Sequence, residues 1–173
     1  RSTELRGLRW QDVDIRRSEI GISQRADEFG AIGPPKSEAG TRSIPVPPLV
    51  INALKEHRLK NGKNSPLVFA NPDGNPRSHT NIITKGLVPA MKKAGVVTPE
   101  GKAKYSGMHA LRHFYASWLI NRKEDGGLGL PAKMVQERLG HASIVMTMDV
   151  YGHLFPRTDD GTELAQAANI LLS

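Results

Sequence analysis

The stretch MHALRHFYASWLIN, residues 108–121, decides the fold of this 173-residue chain. Its large apolar side chains recur at helical spacing, so we predict a helix that turns one apolar side toward the core. These side chains are Leu111, Tyr115, Trp118 and Leu119. The same helix brings His109, Arg112 and His113 onto one face, because residues three and four apart are neighbours on a helix. One helix therefore supplies both core contacts and a polar cluster.

More helices are predicted on the carboxyl-terminal side of this stretch. Pro131 suits the first turn of a helix that ends at Leu139, and Gly140 provides the stop. A short helix is expected over residues 143–150 and an amphipathic helix over residues 162–172. The last third of the chain is therefore predicted to be mainly helical.

The amino-terminal half mixes helices with short β-rich runs. Residues 19–25 and 41–46 predict two strands of a hairpin or small sheet, with a polar loop containing Gly and Pro between them. Three further helices are predicted, over residues 3–9, 49–61 and 78–94. Ser78 is expected to cap the last of these. The expected fold class is α+β, mainly helical with a small antiparallel β-sheet, in one domain over residues 1–173.

Composition narrows the class of protein. Hydrophobic residues make up 38% of the chain and charged residues 24%, as in ordinary globular proteins. No stretch approaches the ~18 consecutive apolar residues of a membrane span, so no membrane association is expected. The absence of cysteine excludes disulfides, thiolate zinc sites and a cysteine nucleophile.

The positive charge is concentrated in the middle of the chain, which has a net charge of +7 overall. Residues 41–104 hold eleven basic and three acidic side chains, whereas the segments on either side are close to neutral. Such a surface can track DNA phosphates by displacing counterions, but it can equally be a solvated face. The charge alone leaves both interpretations open.

The pair His109 and His113 has the i, i+4 spacing of a helical zinc site. Ala110 stands where a metalloprotease has its glutamate, and Arg112 would place a fixed positive charge beside the ion, so we do not favour zinc. The alternative is an anion site, in which the guanidinium grips phosphate oxygens and an imidazole moves a proton. For this motif alone, histidines that only pack are a third interpretation.

A second polar group comprises the Leu-Gly-His motif at residues 139–141 and, ten residues later, Tyr151. A phenol has a pKa of about 10 and attacks poorly unless its charge is stabilised. Arginine and histidine side chains would supply that stabilisation. Taken in order, the His-x-x-Arg motif at residues 109–112, the Leu-Gly-His motif and Tyr151 resemble the catalytic signature of the tyrosine recombinases, the phage integrase family.

The resemblance extends over nearly the whole chain. The box that begins Arg-Ser-Thr-Glu-Leu is similar to the family's first motif, which implies that Arg1 is a catalytic arginine. Pro-Lys-Ser at residues 35–37, followed by Arg-Ser-Ile-Pro at residues 42–45, is similar to the family's β-hairpin, which implies that Lys36 is its catalytic lysine. The implied site is completed by His109, Arg112, His141 and Tyr151.

The resemblance implies phosphoryl transfer on DNA. Tyr151 would attack a phosphodiester in line, forming a 3′-phosphotyrosyl bond and releasing a 5′-hydroxyl. The two arginines would stabilise the transition state, and Lys36, at a hairpin tip, would protonate the leaving oxygen. His109 would assist proton transfer with Tyr151, and His141 would hydrogen-bond the phosphate. Attack by the 5′-hydroxyl of another strand would then complete recombination or integration at a specific site.

The resemblance also implies the domain organisation and the partners. Residues 1–173 would be an integrase-type catalytic domain, and the amino-terminal DNA-clamping domain that normally precedes it is expected to be absent. The partner would be double-stranded DNA, with a tetramer assembling on it and the last helix docking in cis or on a neighbour. No cofactor, metal ion or small-molecule substrate is expected. The expected location is the cytoplasm, for a chain of bacterial or phage origin.

Three other functions are compatible with the same residues. A type IB topoisomerase uses similar chemistry but rejoins the same strand. A DNA-binding domain could carry an inactive site. A metal-dependent nuclease could be built on His109 and His113, and a chelator would abolish its activity.

Three side chains near the implied site have two interpretations each. Glu4 either orients a guanidinium or caps a helix in solvent. His113 either supports the site or only packs. Arg42 either contacts the DNA backbone or pairs with Glu38.

Overall fold

The computed structural model describes residues 1–61, 65–155 and 161–172. Within these ranges the α-helices are α1 (Ser2–Gly7), α2 (Pro48–Asn61), α3 (His79–Ile82), α4 (Val88–Lys93), α5 (His109–Ile120), α6 (Ala132–Leu139), α7 (Ile144–Tyr151) and α8 (Gly161–Leu172). The strands are β1 (Val13–Asp14), β2 (Glu19–Ile22), β3 (Arg25–Ala26), β4 (Ile32–Gly33) and β5 (Arg42–Pro45). The class is α+β and mainly helical, as predicted.

Three strands form an antiparallel sheet in the order β1-β2-β5. Ile20 of β2 pairs with Val13 of β1 on one side and with Ile44 of β5 on the other. These β-branched side chains suit a pleated, half-buried surface. The predicted pairing of residues 19–25 with residues 41–46 is confirmed, and the sheet gains β1 at its edge.

The connection between β2 and β5 holds a second ribbon, in which β3 pairs with β4 and Ala26 lies opposite Ile32. Asp27 shapes the turn, because its carboxylate accepts hydrogen bonds from the main-chain N–H groups two and four residues later, at 3.0 and 2.8 Å. The expectation of a loop throughout this connection is wrong. A strand of two residues is too short to show the alternation by which strands are detected in a sequence.

The helix predicted over residues 78–94 is interrupted. Ser78 caps it as expected, and its hydroxyl accepts a hydrogen bond from the N–H of Asn81 at 3.2 Å. Between α3 and α4 the backbone forms a π-helical turn, Ile83–Leu87, just before Pro89. Proline has no N–H to donate to the carbonyl four residues earlier and its ring crowds that carbonyl, so the regular helical ladder breaks here.

Within the described ranges, two clusters of buried apolar side chains position the site. The first joins α5, α6 and α7 through the buried side chains of Ala116, Leu119, Ile120, Val135, Leu139 and Tyr151. The second consists of Leu8, Leu54 and Val68. Helix α6 contacts α5, α7 and β5. Helix α6 therefore lies against the helices that carry His109, Arg112 and Tyr151.

Helix α5 packs on the core with a slightly different face than predicted. Three of the predicted side chains do face the first cluster: Tyr115, Trp118 and Leu119. Leu111 is 50% exposed instead, and Ala116 and Ile120 occupy buried positions. The expectation for Leu111 is wrong because the first turn of α5 borders an open cavity, and Leu111 lines it.

Helix α8 coincides closely with the amphipathic helix predicted over residues 162–172. The side chains of Leu171 and Leu172 are 86% and 84% exposed. Docking of this helix, in cis or on a neighbour, stays a prediction. In the part of the chain that the structure describes, no helix is both long and apolar enough to cross a membrane.

Candidate active site

The end of helix α6 anchors three arginines. The main-chain carbonyls of residues 138–140 accept one hydrogen bond each. The donors are Arg42 Nε at 3.0 Å, Arg112 Nη2 at 2.7 Å and Arg1 Nη2 at 2.9 Å. Carbonyls in the last turn of a helix lack intrahelical partners and carry the negative end of the helix dipole, so guanidinium groups suit them. One helix end thus gathers arginines that lie far apart in the sequence.

One buried carboxylate holds two of these arginines. Glu4, whose side chain is 5% exposed, accepts hydrogen bonds from Arg42 at 3.0 and 3.2 Å and from Arg1 Nη1 at 2.9 Å. Burial alone would raise the pKa of Glu4, but the hydrogen bond from Arg42 and the charges of Arg42 and the Arg1 ammonium lower it to about 2. Glu4 therefore orients guanidinium groups. Of the two interpretations of Arg42, the pairing with Glu38 is wrong, because Glu4 of α1 takes that place. A contact of Arg42 with the DNA backbone stays a prediction.

The arginine cluster carries more positive charge than the Glu4 carboxylate neutralises. The cluster contains three guanidinium side chains and one carboxylate side chain, which leaves these side chains a surplus of two positive charges (three minus one). Burial and the nearby Arg1 charge lower the pKa of Arg112, yet a guanidinium stays protonated in proteins. The Arg1 side chain is 33% exposed, so an anion can reach it. The cluster therefore suits an oxyanion such as a phosphodiester.

Gly140 permits this arrangement in two ways. Its φ of +64° lies in the left-handed region that favours glycine, and it ends α6 as predicted. A Cβ atom at this position would also lie 2.7 Å from Arg42 Nη1 and 3.0 Å from the carbonyl oxygen of Ala39. Glycine thus makes room for the buried guanidinium as well as for the turn.

Tyr151, at the end of α7, directs its hydroxyl toward a histidine of α5. The phenol oxygen lies 3.0 Å from His113 Nδ1. The His141 ring stacks nearly parallel to the phenol ring, at 6.5 Å between ring centres. His109 contacts His113 edge-on at 5.3 Å, and among the described residues no hydrogen bond joins His109 to Tyr151. Of the two interpretations of His113, the geometry favours the one in which it supports the site.

Burial sets the acid–base properties on this side of the site. It raises the pKa of Tyr151, and the charge of Arg112 opposes the rise. Burial, followed by the charges of Arg112 and Arg1, lowers the pKa of His141 to about 4, so this imidazole is neutral near pH 7. Its Nδ1 lies 2.9 Å from the hydroxyl of the buried Thr147, which fixes the orientation of the ring.

Lys36 stands apart from the other predicted site residues. It is exposed, in the connection between β4 and β5. The turn of the β3–β4 ribbon lies at residues 27–31, so the expected position at a hairpin tip is wrong. Across the ranges that the structure describes, no hydrogen bond or ion pair joins Lys36 to the arginine cluster, the histidines or Tyr151.

A cavity of about 470 Å³ opens beside the arginine cluster. Arg1, His109 and Arg112 border it on one side. Apolar side chains of α1, the sheet and α5 form most of the remaining wall, among them Leu5, Ile44 and Leu111. The charged groups of the site therefore lie at the edge of an apolar hollow, where water screens them less than on an open surface.

The histidine pair of α5 is not part of a metal-ligating cluster. Within the described ranges, no group of three or more His, Cys, Asp or Glu side chains is arranged to hold a metal ion. The ring neighbours of His113 are His109 and Tyr151. We therefore assign no metal ligands to this pair.

The sequence reasoning missed Thr147 and the carbonyl anchors at residues 138–140. A threonine six residues after a histidine belongs to no motif, and every residue has a carbonyl, so neither carries a signal. The contact between Glu4 and Arg42 does leave a signal in the sequence, because both residues belong to the motif boxes and carry opposite charges. Charge alone, however, does not choose between Glu4 and Glu38.

The sequence matches the model of the phage integrase family over residues 1–157. The chain belongs to the phage integrase family. The XerC-like tyrosine recombinase of Caldanaerobacter subterraneus subsp. tengcongensis is 30% identical to this integrase-family chain, over 91% of the chain and 43% of the relative. The transposase of transposon Tn916 from Enterococcus faecalis is 30% identical, over 88% of the chain and 39% of the relative. The chain thus spans less than half of the length of these relatives.

Solved structures share the fold of this integrase-family chain. The Tn1549 transposon integrase in complex with circular intermediate DNA matches it with a TM-score of 0.67 and 24% identity, over 98% of this chain and 55% of that one. The XerH site-specific recombinase bound to palindromic difH substrate matches it with a TM-score of 0.61 and 23% identity. The match covers 100% of this chain and 42% of that one. The family resemblance and the predicted fold class are confirmed.

Proposed function

We propose that this integrase-family domain cleaves and rejoins DNA strands at specific sites through a 3′-phosphotyrosyl intermediate on Tyr151. The observation that carries the proposal is the place of the Tyr151 phenol beside His141, a residue that follows the end of α6, where the carbonyl of Leu139 anchors Arg112. From there the charge of Arg112 acts on the phenol. Phosphoryl transfer to a tyrosine needs positive charge on the phosphate and beside the attacking oxygen. Sequence relatives named as a tyrosine recombinase and a transposase support the same reaction.

In the proposed cleavage step, the Tyr151 oxygen forms a bond to phosphorus while the bond from phosphorus to the 5′ oxygen breaks. Arg1 and Arg112 hydrogen-bond the non-bridging oxygens and offset the charge that develops on them. The neutral His141 hydrogen-bonds the phosphate, and Lys36 gives a proton to the departing 5′ oxygen. Rejoining is the reverse step, with a 5′-hydroxyl of another strand as the attacking group.

The proposed reaction uses neither a metal ion nor a cofactor. Metal ions in other phosphoryl transferases supply positive charge to the transferring group. Here the catalytic guanidinium groups supply it, within a cluster that has a surplus of two positive charges. The phosphotyrosine keeps the energy of the broken phosphodiester, so rejoining needs no nucleotide triphosphate.

Double-stranded DNA is the proposed partner. The surplus of basic residues lies within residues 41–104, and Lys85, Lys92 and Lys93 on the helical segment of that region are exposed. Such lysines bind DNA phosphates by displacing counterions. The Tn1549 integrase and XerH structures that share this fold contain DNA, which supports the same partner here.

The proposal extends to the assembly in which the domain works. Strand exchange between two duplexes requires four cleavages, so we propose four copies on the DNA. The exposed Leu171 and Leu172 at the end of α8 suit a contact with a neighbouring copy. We also propose that an amino-terminal DNA-clamping domain works with residues 1–173, and that the reaction takes place in the bacterial cytoplasm.

Covalent trapping tests the proposed reaction. The protein is expressed from its complete gene and incubated, in EDTA, with restriction fragments of the DNA that flanks that gene. We expect a protein–DNA band that resists SDS with the wild type and none with Tyr151→Phe. Tyr105→Phe is the matched control, because Tyr105 is 44% exposed, outside the site, and its loss should leave the band unchanged.

Each contrary result identifies a different function. A band with Tyr151→Phe overturns Tyr151 as the nucleophile. Activity that EDTA abolishes favours the metal-dependent nuclease. Tight DNA binding without a band from the wild type favours an inactive DNA-binding domain, which is not the function we favour.

A further inference from the structure

We infer that His113 is the catalytic group that accepts the phenol proton of Tyr151 during strand cleavage. This inference rests on the proposed function and adds the residue that activates the nucleophile. His113 Nδ1 lies 3.0 Å from the Tyr151 hydroxyl, within hydrogen-bond reach of the reacting atom. The family resemblance instead implies that His109 assists this proton transfer.

The surroundings of Tyr151 direct its proton toward His113. Tyr151 is only 4% exposed, and the ring of His141 lies nearly parallel to the phenol with 6.5 Å between the ring centres. His113 lies on the exposed side of α5 and borders both the buried phenol and solvent. A base in this position can take a proton from a buried donor and exchange it with water.

The other two histidines are less suited to the same task. The Nδ1 atom of His141 is engaged by Thr147 at 2.9 Å, and the low pKa of His141 makes it a weak base. His109 contacts the edge of the His113 ring, with 5.3 Å between the ring centres. We therefore assign His109 an indirect role, acting on Tyr151 through His113.

The protons balance in both directions of the proposed reaction. As Tyr151 Oη bonds to phosphorus, its proton passes to His113 Nδ1, and the 5′ oxygen leaves with a proton from Lys36 Nζ. In rejoining, the incoming 5′-hydroxyl gives its proton to Lys36, and His113 returns a proton to the departing phenolate. For Nδ1 to accept a proton, the neutral His113 ring must carry its own proton on Nε2.

Single-turnover cleavage of the trapped DNA fragment tests this assignment. We expect His113→Phe to slow cleavage by about a hundredfold or more, the usual contribution of a general base. His113→Asn can still accept a hydrogen bond but is not basic, so we expect it to be as slow. His109→Phe, a substitution of the same kind one turn away, should slow cleavage less. Urea denaturation checks that each variant is folded.

Two further measurements separate proton acceptance from positioning. With sulfur in place of the bridging 5′ oxygen, the leaving thiolate needs no proton, so Lys36→Ala should recover its rate and His113→Phe should not. Imidazole in solution should partly restore cleavage by His113→Ala, since the position is open to solvent.

Contrary results are readily distinguished. A rate for His113→Phe within threefold of the wild type, recovery of His113→Phe on the sulfur substrate, or a wild-type rate for His113→Asn each overturns the inference alone. In all three cases the band that depends on Tyr151 is still formed. Absence of that band from the wild type overturns the proposed function and the inference with it.

Discussion

Arg42 makes four hydrogen bonds within the described residues, two of them to Glu4 and two to main-chain carbonyls, whereas the Tyr151 hydroxyl makes one, to His113. The arginine side of the site is tied to a helix end and to a buried carboxylate. The tyrosine side depends on ring contacts and a single hydrogen bond. The arginine side of the site is thus held more rigidly than the tyrosine side.

The difference suits the two tasks in the proposed reaction. Groups that stabilise a transition state act best when they are already in position, because no reorganisation is then needed as charge develops. The nucleophile must move from its contact with His113 to a bond with phosphorus. Lys36, exposed and outside the cluster, is less constrained than either side.

The largest effect on stability is expected from Glu4→Ala. This change leaves Arg1 and the buried Arg42 without their carboxylate, and removal of one partner from a buried ion pair costs about 3–5 kcal/mol. Urea denaturation measures the loss. The control is Glu137→Ala, whose partner Lys133 is 68% exposed, and about 1 kcal/mol or less is expected there. Equal losses of unfolding free energy in the two variants would show that the ion pairs of Glu4 stabilise the fold no more than the exposed pair of Lys133 and Glu137.

A smaller loss is expected from Gly140→Ala, for which Gly95→Ala is the matched control. Both glycines lie at helix ends with positive φ, +64° and +71°, but a Cβ at Gly95 meets nothing within 4 Å. Both variants should lose about 1–2 kcal/mol for the left-handed conformation. Gly140→Ala should lose about 1–3 kcal/mol more, because its Cβ displaces Arg42. Equal urea midpoints for the two variants would contradict the packing argument.

Acidification should weaken the fold through His141. Its pKa in the folded chain is about 4, below the ordinary 6.5, so between these pH values the unfolded chain binds a proton that the folded chain does not. Stability should therefore fall as the pH decreases from about 6.5 toward 4, and His141→Gln should reduce this dependence. Urea denaturation midpoints at pH 7, 6 and 5 measure how steeply the stability changes with pH in the two proteins. The Glu4 carboxylate adds little to this pH dependence above pH 5, because its pKa in the folded chain, about 2, and its ordinary pKa of 4.5 both lie below that range.

The smallest effect on stability is expected from Lys36→Ala. Lys36 is exposed and has no ion pair or hydrogen bond within the described part of the chain, so its side chain is expected to contribute about 0.5 kcal/mol or less to folding. The same change should still abolish rapid cleavage of ordinary DNA, because it removes the proposed proton donor to the 5′ oxygen. Urea denaturation and the trapping assay together check both parts. A large loss of stability would show that Lys36 has a structural role as well.

The sequence predicted those parts of the fold that depend on local pattern. The helical periodicity of residues 108–121 and the glycine stop at Gly140 appear in the structure as α5 and the end of α6. The β3–β4 ribbon and the π-helical turn Ile83–Leu87 were missed. Both depend on backbone pairing over a few residues, which leaves no periodic signal in the side chains.

For the site, the motifs predicted which side chains to consider but not how they are held. The structure brings Arg1 and Arg112 to the same helix end, and Tyr151 to His113. The motif boxes contain no information on carbonyl acceptors. The motif resemblance favours His109 over His113, and helical spacing puts both on the same face. Only the position of α7 shows that Tyr151 contacts His113.

The carbonyl anchors at residues 138–140 have a consequence for how this site tolerates mutation. A main-chain carbonyl is present whichever amino acid occupies the position. Replacement of the side chain at residue 138, which leaves the helix intact, therefore keeps the acceptor that holds Arg42. The positions of these carbonyls depend on the backbone conformation. They are therefore sensitive mainly to substitution of Gly140, whose φ is positive. The alignment of the arginines can thus survive sequence drift along the outside of α6.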